Sequence, residues 1–184
     1  NFNDFFDILK SRLKKLEKIN SKKIDFIYHE LLSKEFKYLQ KYIEKECDPE
    51  DLNNLVRFLG KTISQSDIGL HNLIFNKKTN YLYFVDFEHA GLDSLMKGLI
   101  DMLIQPEKPM PKELILFFVE KINILSNNKI TTIDDLKPFL YIQRLKWCII
   151  ITNPLLYDKN LSSKKIFEKI KKYISLTNNL FNLY

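Results

Sequence analysis

With 184 residues, 45% hydrophobic and 13% aromatic, the chain can bury a substantial core and is too apolar to stay disordered. Its net charge of +6 comes from lysines that lie beside acidic residues along every predicted helix, so they read as solvated faces and weigh against a nucleic-acid surface. Two cysteines without CxxC spacing argue against a disulfide framework or a zinc site, no apolar run has transmembrane length, and a polar start favours a cytoplasmic protein.

Phe2 to Ile19 spaces its apolar residues for an amphipathic helix, and a second helix follows from a Ser21 cap through Ile24, Ile27, Leu31, Leu32, Phe36, Leu39 and Ile43. "CDPE" breaks that pattern, and residues 51–60 suit a short helix ending at Gly60. The texture then changes. From Lys61 to Gly91 the order is loop, strand, turn, strand, loop, with "NLIF" and "YLYFVDF" as β-prone runs around the turn "NKKTN". Helices resume over Leu92–Ile104, Pro111–Leu125, Ile133–Thr152 and Ser162–Asn178. The expected fold is mainly α, an α+β chain in which one helical domain over residues 1–184 carries a single small β-hairpin.

The polar residues gather at the two ends of that hairpin. Asp67 and Asn72 lie five apart in "SDIGLHN", and Asp86 ends the second strand in "YFVDFEHAG". A loop followed by a hairpin can bring these three side chains to one end. Asn72 and Asp86 then offer hard oxygens to Mg²⁺, which usually takes one or two protein carboxylates together with substrate phosphates. Asp67 is left to orient an attacking hydroxyl and accept its proton. Asp86 follows an apolar strand, where an unpaired carboxylate is costly unless it meets a cation or donors.

This layout resembles the catalytic lobe of protein-kinase-like enzymes in their small-molecule branch, the aminoglycoside phosphotransferase and choline kinase-like phosphotransferases. Asp67 and Asn72 match the first motif of that family, while Asp86, Phe87 and Glu88 match the second. "GLDSLMKGLIDMLIQP" resembles the following segment, which implies that Asp101 is a buried structural acid bracing the catalytic loop and that Asp93 lies near the helix start. "RLKWCIIITN" is similar to a bacterial subgroup whose loop reads SPSDFGFHN. Gln65 and Ser66 stand where the family usually has His and Gly.

The resemblance covers the helical C-terminal lobe, residues 2–180, and leaves the nucleotide-covering N-terminal lobe without a counterpart. It implies ATP and Mg²⁺ as cofactors and, as partners, a small hydroxylated substrate such as a sugar, aminoglycoside or amino alcohol and the missing lobe. Transfer of the γ-phosphoryl group to that substrate is the expected activity. A catalytically silent binding module that keeps the same lobe is the alternative, and a basic helical nucleic-acid binder has charge alone in its favour.

Several residues keep two readings. Asp67 and Asn72 also suit turns. His71 is either a substrate or phosphate contact or a structural hydrogen-bonder, and Glu88 either touches the metal through water or faces solvent. His29 and His89 read as residues without a role. Tyr141 and Trp147 have the spacing of a helical core stripe, which favours packing over a sugar-stacking platform.

Overall fold

A computed structural model describes residues 1–181 of the chain. The architecture is mainly helical with two small antiparallel sheets, an α+β arrangement. Residues group into two compact units, one made of Asn1–Asn53 and the chain from Leu140 onward, the other of Asn54–Phe139. Among the described residues no helix is long and apolar enough to cross a membrane.

In the first unit, α1 (Phe2–Glu17) starts from a capping box: Asn1 accepts the Asp4 N–H and Asp4 answers at the Asn1 backbone. The helix α2 (Lys22–Ile27) passes through a π-helical turn, Tyr28–Leu32, into α3 (Ser33–Glu46). The turn has a packing reason. Ile27 and Leu32 are both fully buried though five residues apart, and one widened turn keeps them on a common face. Each such aliphatic side chain contributes about 2 kcal/mol by leaving water. Ser21 stands at the N-terminus of α2 as expected, but its side chain makes no capping bond. The long helix α9 (Ser163–Phe181) packs on α2, and the Lys23 ammonium ties down the approach to it by bonding the carbonyls of Lys159 and Leu161, both at 2.6 Å.

The chain runs through α4 (Pro49–Leu59) into the second unit, which contains every strand among the described residues: β1 (Lys61–Ser64), β2 (Leu73–Asn76), β3 (Tyr81–Phe84) and β4 (Gly91–Ser94). The β2–β3 hairpin forms where the sequence predicts it, with Leu73 opposite Phe84 and Asn76 opposite Tyr81. Asn76 accepts N–H bonds from Lys78 and Thr79, and Asn80 takes φ 58°, which closes the turn. The expectation of a single hairpin needs correction. A second ladder pairs Lys61 with Ser94 and Ser64 with Gly91, so the residues expected to start a helix at Leu92 form a strand and α5 spans Leu95–Ile104. Neither "KTIS" nor "GLDS" has the apolar run that marks a strand; the pairing comes from tertiary context.

Downstream, α6 (Lys112–Leu125) begins just after Pro111. A 3₁₀ turn at Ile133–Leu136 then leads into α7 (Lys137–Thr152), and a short α8 (Pro154–Tyr157) precedes α9. The core of the second unit is built from Met96, Ile100, Leu103 and Ile104 of α5 with Ile115, Val119 and Ile122 of α6.

Candidate functional site

The two ladders hold the two stretches that carry the candidate polar residues. Segment 61–94 leaves the helical body through β1 and returns through β4, with β2–β3 at its far end. Its two irregular stretches, residues 65–72 and 85–90, therefore lie between two sheets that fix both of their ends. The Val85 N–H bonds the Asn72 carbonyl at 3.0 Å, which ties one stretch to the other one residue before Asp86.

Each stretch carries one non-glycine residue in the left-handed region, Ser66 at φ 72° and Asp86 at φ 66°. The other such residues, Asn80, Asn127 and Asn128, are asparagines, which tolerate this region. Aspartate tolerates this region as asparagine does, so the conformation is costly at Ser66, beside one candidate acid, where it costs on the order of 1–2 kcal/mol. Strain of this kind tends to collect where a side chain must be aimed.

Within the first stretch the Asp67 carbonyl accepts two side-chain amides, Gln65 Nε2 and Asn72 Nδ2, each at 3.0 Å. Gln65 is almost fully buried and braces the backbone of Asp67 directly. Asn72 is also buried, and with its nitrogen engaged its side-chain oxygen is the group it has left to offer. The Asp67 carboxylate is split between two environments. Oδ2 lies 3.3 Å from His71 Nε2, whereas Oδ1 is buried without a hydrogen-bond partner among the described residues, and so is His71 Nδ1. A buried carboxylate oxygen without a donor is costly and calls for an explanation, such as a ligand hydroxyl or an ion that completes it.

Helix α5 supports the loop from below. Asp101 is 1% exposed and pairs with the Lys97 ammonium at 3.4 Å; the same ammonium bonds Asp93 at 2.7 Å and the Ser66 carbonyl at 2.6 Å. Asp101 thus reaches the loop through Lys97. Asp93 sits in β4, just before the helix, with its Oδ1 accepting the Ser94 N–H. At the end of α5, Gln105 holds the backbone N–H groups of Glu107 and Lys108 with its oxygen and turns its nitrogen toward His71 Nε2 at 3.3 Å; that ring nitrogen accepts from Gln105 when it carries no proton and donates to Asp67 Oδ2 when it does, so it serves one of the two at a time. Sequence reasoning noted Gln65 only as a departure from the resembled motif, without a role, and overlooked Lys97 and Gln105. The available signal for the last two was the spacing of four through Asp93, Lys97, Asp101 and Gln105, which spans α5 from the strand before it to its C-cap.

Asp86 and Glu88 are exposed, and Glu88 lies 3.5 Å from the imidazole of His89. His29 is exposed as well. Tyr141 and Trp147 are half-buried rather than core residues: Tyr141 packs edge-on against Tyr42 and Tyr38, and the Lys146 ammonium lies over the Trp147 ring.

Among the described residues no group of three or more His, Cys, Asp or Glu side chains is arranged to hold a metal. One amide oxygen and one carboxylate, Asn72 and Asp86, are a donor set that fits a hard cation sharing its shell with phosphate oxygens and water, and do not fit an all-protein cage. The orphaned Asp67 Oδ1 fits a neighbouring hydroxyl. No protein-family model matches this chain, and no curated protein matches it, so the geometry of the site itself carries the functional reading.

Proposed function

We propose that the chain is the catalytic-loop lobe of an ATP-dependent phosphotransferase with the protein-kinase-like fold, moving the γ-phosphoryl group to a hydroxyl of a small molecule. One observation carries this reading. Buried Asn72 donates its amide to the Asp67 carbonyl while its own carbonyl takes the Val85 N–H, so a single residue couples the loop of the candidate base to the strand that delivers Asp86. Asp67 and Asn72 belong to one hydrogen-bonded unit, and the backbone one residue before exposed Asp86 is tied to it, which supports the in-line transfer geometry.

Asp67 orients the acceptor hydroxyl and accepts its proton at the carboxylate as the new phosphate ester bond forms and the bond between the γ-phosphorus and the β,γ-bridging oxygen breaks, releasing ADP. Gln65 and Asn72 hold the backbone of Asp67 still during that step. The Asn72 side-chain oxygen and the Asp86 carboxylate are the residues that would hold Mg²⁺, whose charge neutralises the transferring phosphates and supplies much of the rate. The exposed apolar side chains of the hairpin, among them Ile74, Leu82 and Phe84, offer a surface for a nucleotide base and a covering lobe.

Calorimetric titration of the full chain with ATP, with and without Mg²⁺, tests the reading. Metal-dependent binding that disappears in Asp86→Asn supports it, and binding indifferent to metal or to Asp86 sinks it. In Asp67→Asn, Mg·ATP binding persists while transfer to hydroxylated acceptors falls by about 10²–10⁴-fold.

A further inference from the structure

We propose that Lys97 and Gln105 are positioning residues that clamp the Asp67 loop onto α5 from both of its flanks. For the consequence on turnover the inference rests on the phosphotransferase reading; the clamp itself does not.

Lys97 and Asp101 lie four apart on the apolar helix α5, with Asp93 at the end of β4 just before it and Gln105 at its C-cap, and burying such groups is costly unless each finds a partner. Two of the partners lie on the loop. Lys97 takes the carbonyl of Ser66, the residue before Asp67, and Gln105 faces the ring of His71, the residue before Asn72. The orientation of Gln105 is fixed by its own oxygen, which accepts two backbone N–H groups and leaves the nitrogen one direction to face. The grip thus falls on both sides of the candidate base.

Glycines clear the space between the two grips. A Cβ at Gly98 would meet Ile68 Cδ1 at 3.0 Å, and one at Gly69 would meet His71 Nδ1 at 2.6 Å and Gln105 Cγ at 3.0 Å. Any side chain at Gly69 would unseat His71 from Gln105. Two of the four glycines in the chain thus sit where the loop meets the helix.

The clamp also accounts for the strain. A left-handed serine favours relaxing to another conformation, whereas a short charge-assisted bond to its carbonyl opposes that relaxation and is among the stronger hydrogen bonds. Without Lys97, Ser66 is free to relax and Asp67 shifts with it; misplacement by about 1 Å can cost 10²-fold in rate.

The test compares Lys97→Met, Lys97→Arg and Gln105→Met with a control, Lys121→Met at an exposed position of α6, in the full chain. The first readout is hydrogen exchange at the Ser66 and Asn72 amides, which bond Ser64 Oγ at 3.0 Å and the Gly69 carbonyl at 3.1 Å. Both clamp variants are expected to speed exchange there about tenfold, with hairpin amides and the control unchanged. The second readout is Mg²⁺-dependent ATP turnover: kcat falls about 10²-fold in Lys97→Met at unchanged KM, and Lys97→Arg recovers part of it. Wild-type exchange at Ser66 and Asn72 in both clamp variants overturns the proposal. If Lys97→Met does not fold, Gln105→Met, which removes no charge, decides the exchange comparison. A wild-type chain that binds no Mg·ATP defeats the phosphotransferase reading and leaves the exchange result to decide the clamp.

Discussion

Each of the two units contains a cluster of buried polar groups, and the two are finished differently. In the first unit Arg144 is 5% exposed; it pairs with Glu35 at 3.0 Å, hydrogen-bonds the side-chain oxygen of Asn178 and stacks over Tyr141. Its guanidinium fork is served by side chains from α3, α7 and α9, so the cluster locks three helices together. In the second unit the Asp67 loop leaves two contacting groups incomplete, a carboxylate oxygen and an imidazole nitrogen, beside a strained serine. A satisfied network gives a fold its register, whereas an unsatisfied one is strain that a ligand can relieve. Part of the difference shows at Gln143, whose buried side-chain oxygen also lacks a partner: there the orphan is a single amide, with no second orphan bonded to it.

The comparison predicts that the supports of the loop matter for stability while its incomplete groups do not. Asp101→Ala removes a buried carboxylate from its ion pair with Lys97 and is expected to cost about 3 kcal/mol in denaturant melts. Asp67→Asn should melt close to wild type. If Asp67→Asn unfolds and Asp101→Ala does not, the roles of support and working group are exchanged.

Arg144→Met should destabilise by a smaller amount, about 2 kcal/mol, because Glu35 is 27% exposed and can take up water when its partner is gone. The variant is expected to leave Mg·ATP affinity and exchange at Ser66 and Asn72 unaltered. A change in either would mean that the closed cluster also serves the site, and the contrast between the two clusters would fail.

How much of this was legible beforehand depended on the kind of signal. The helices were readable because their apolar residues recur with the helical period, and the hairpin because "LIFN" and "YLYF" flank a turn rich in Asn and Lys. The β1–β4 ladder was not, since its strands are four residues long and hold polar residues or glycine; only their pairing makes them strands. At the site, Asp67, Asn72 and Asp86 stood out by spacing, and Asp101 by the resemblance of the segment it lies in. Lys97 was hidden by composition: in a chain with 29 Lys and Arg, one more lysine reads as solvated surface. Gln65 looked like the loss of a family residue, and its bond to the Asp67 carbonyl depends on a loop conformation that spacing does not encode.

A pH series probes the closed cluster without changing it. Burial pushes the Cys148 thiol up to about 12, against a smaller opposing pull from Arg144. The folded state therefore holds the thiol proton more tightly than the unfolded state does. This contribution to stability is complete below pH 9 and is lost progressively as the pH rises toward 12. Between pH 8 and 11, urea melts should show wild-type stability falling more steeply than that of Cys148→Ala. Parallel slopes would mean that the cluster admits water.

The smallest expected effect is the most discriminating. Ser66→Gly removes the Cβ that makes φ 72° costly, which favours the folded state by about 1 kcal/mol, but glycine also gives the unfolded chain more freedom to lose. The two contributions nearly cancel, so the melt should shift by no more than about 0.5 kcal/mol in either direction. Exchange at Asn72 should nevertheless quicken, since glycine allows the backbone before Asp67 to leave the conformation that Lys97 holds. Stability unchanged with a looser loop means that the strain at Ser66 serves to aim Asp67. A clear gain in stability with the loop as tight as before would mean that Ser66 is merely strained, and that the clamp holds the loop without its help.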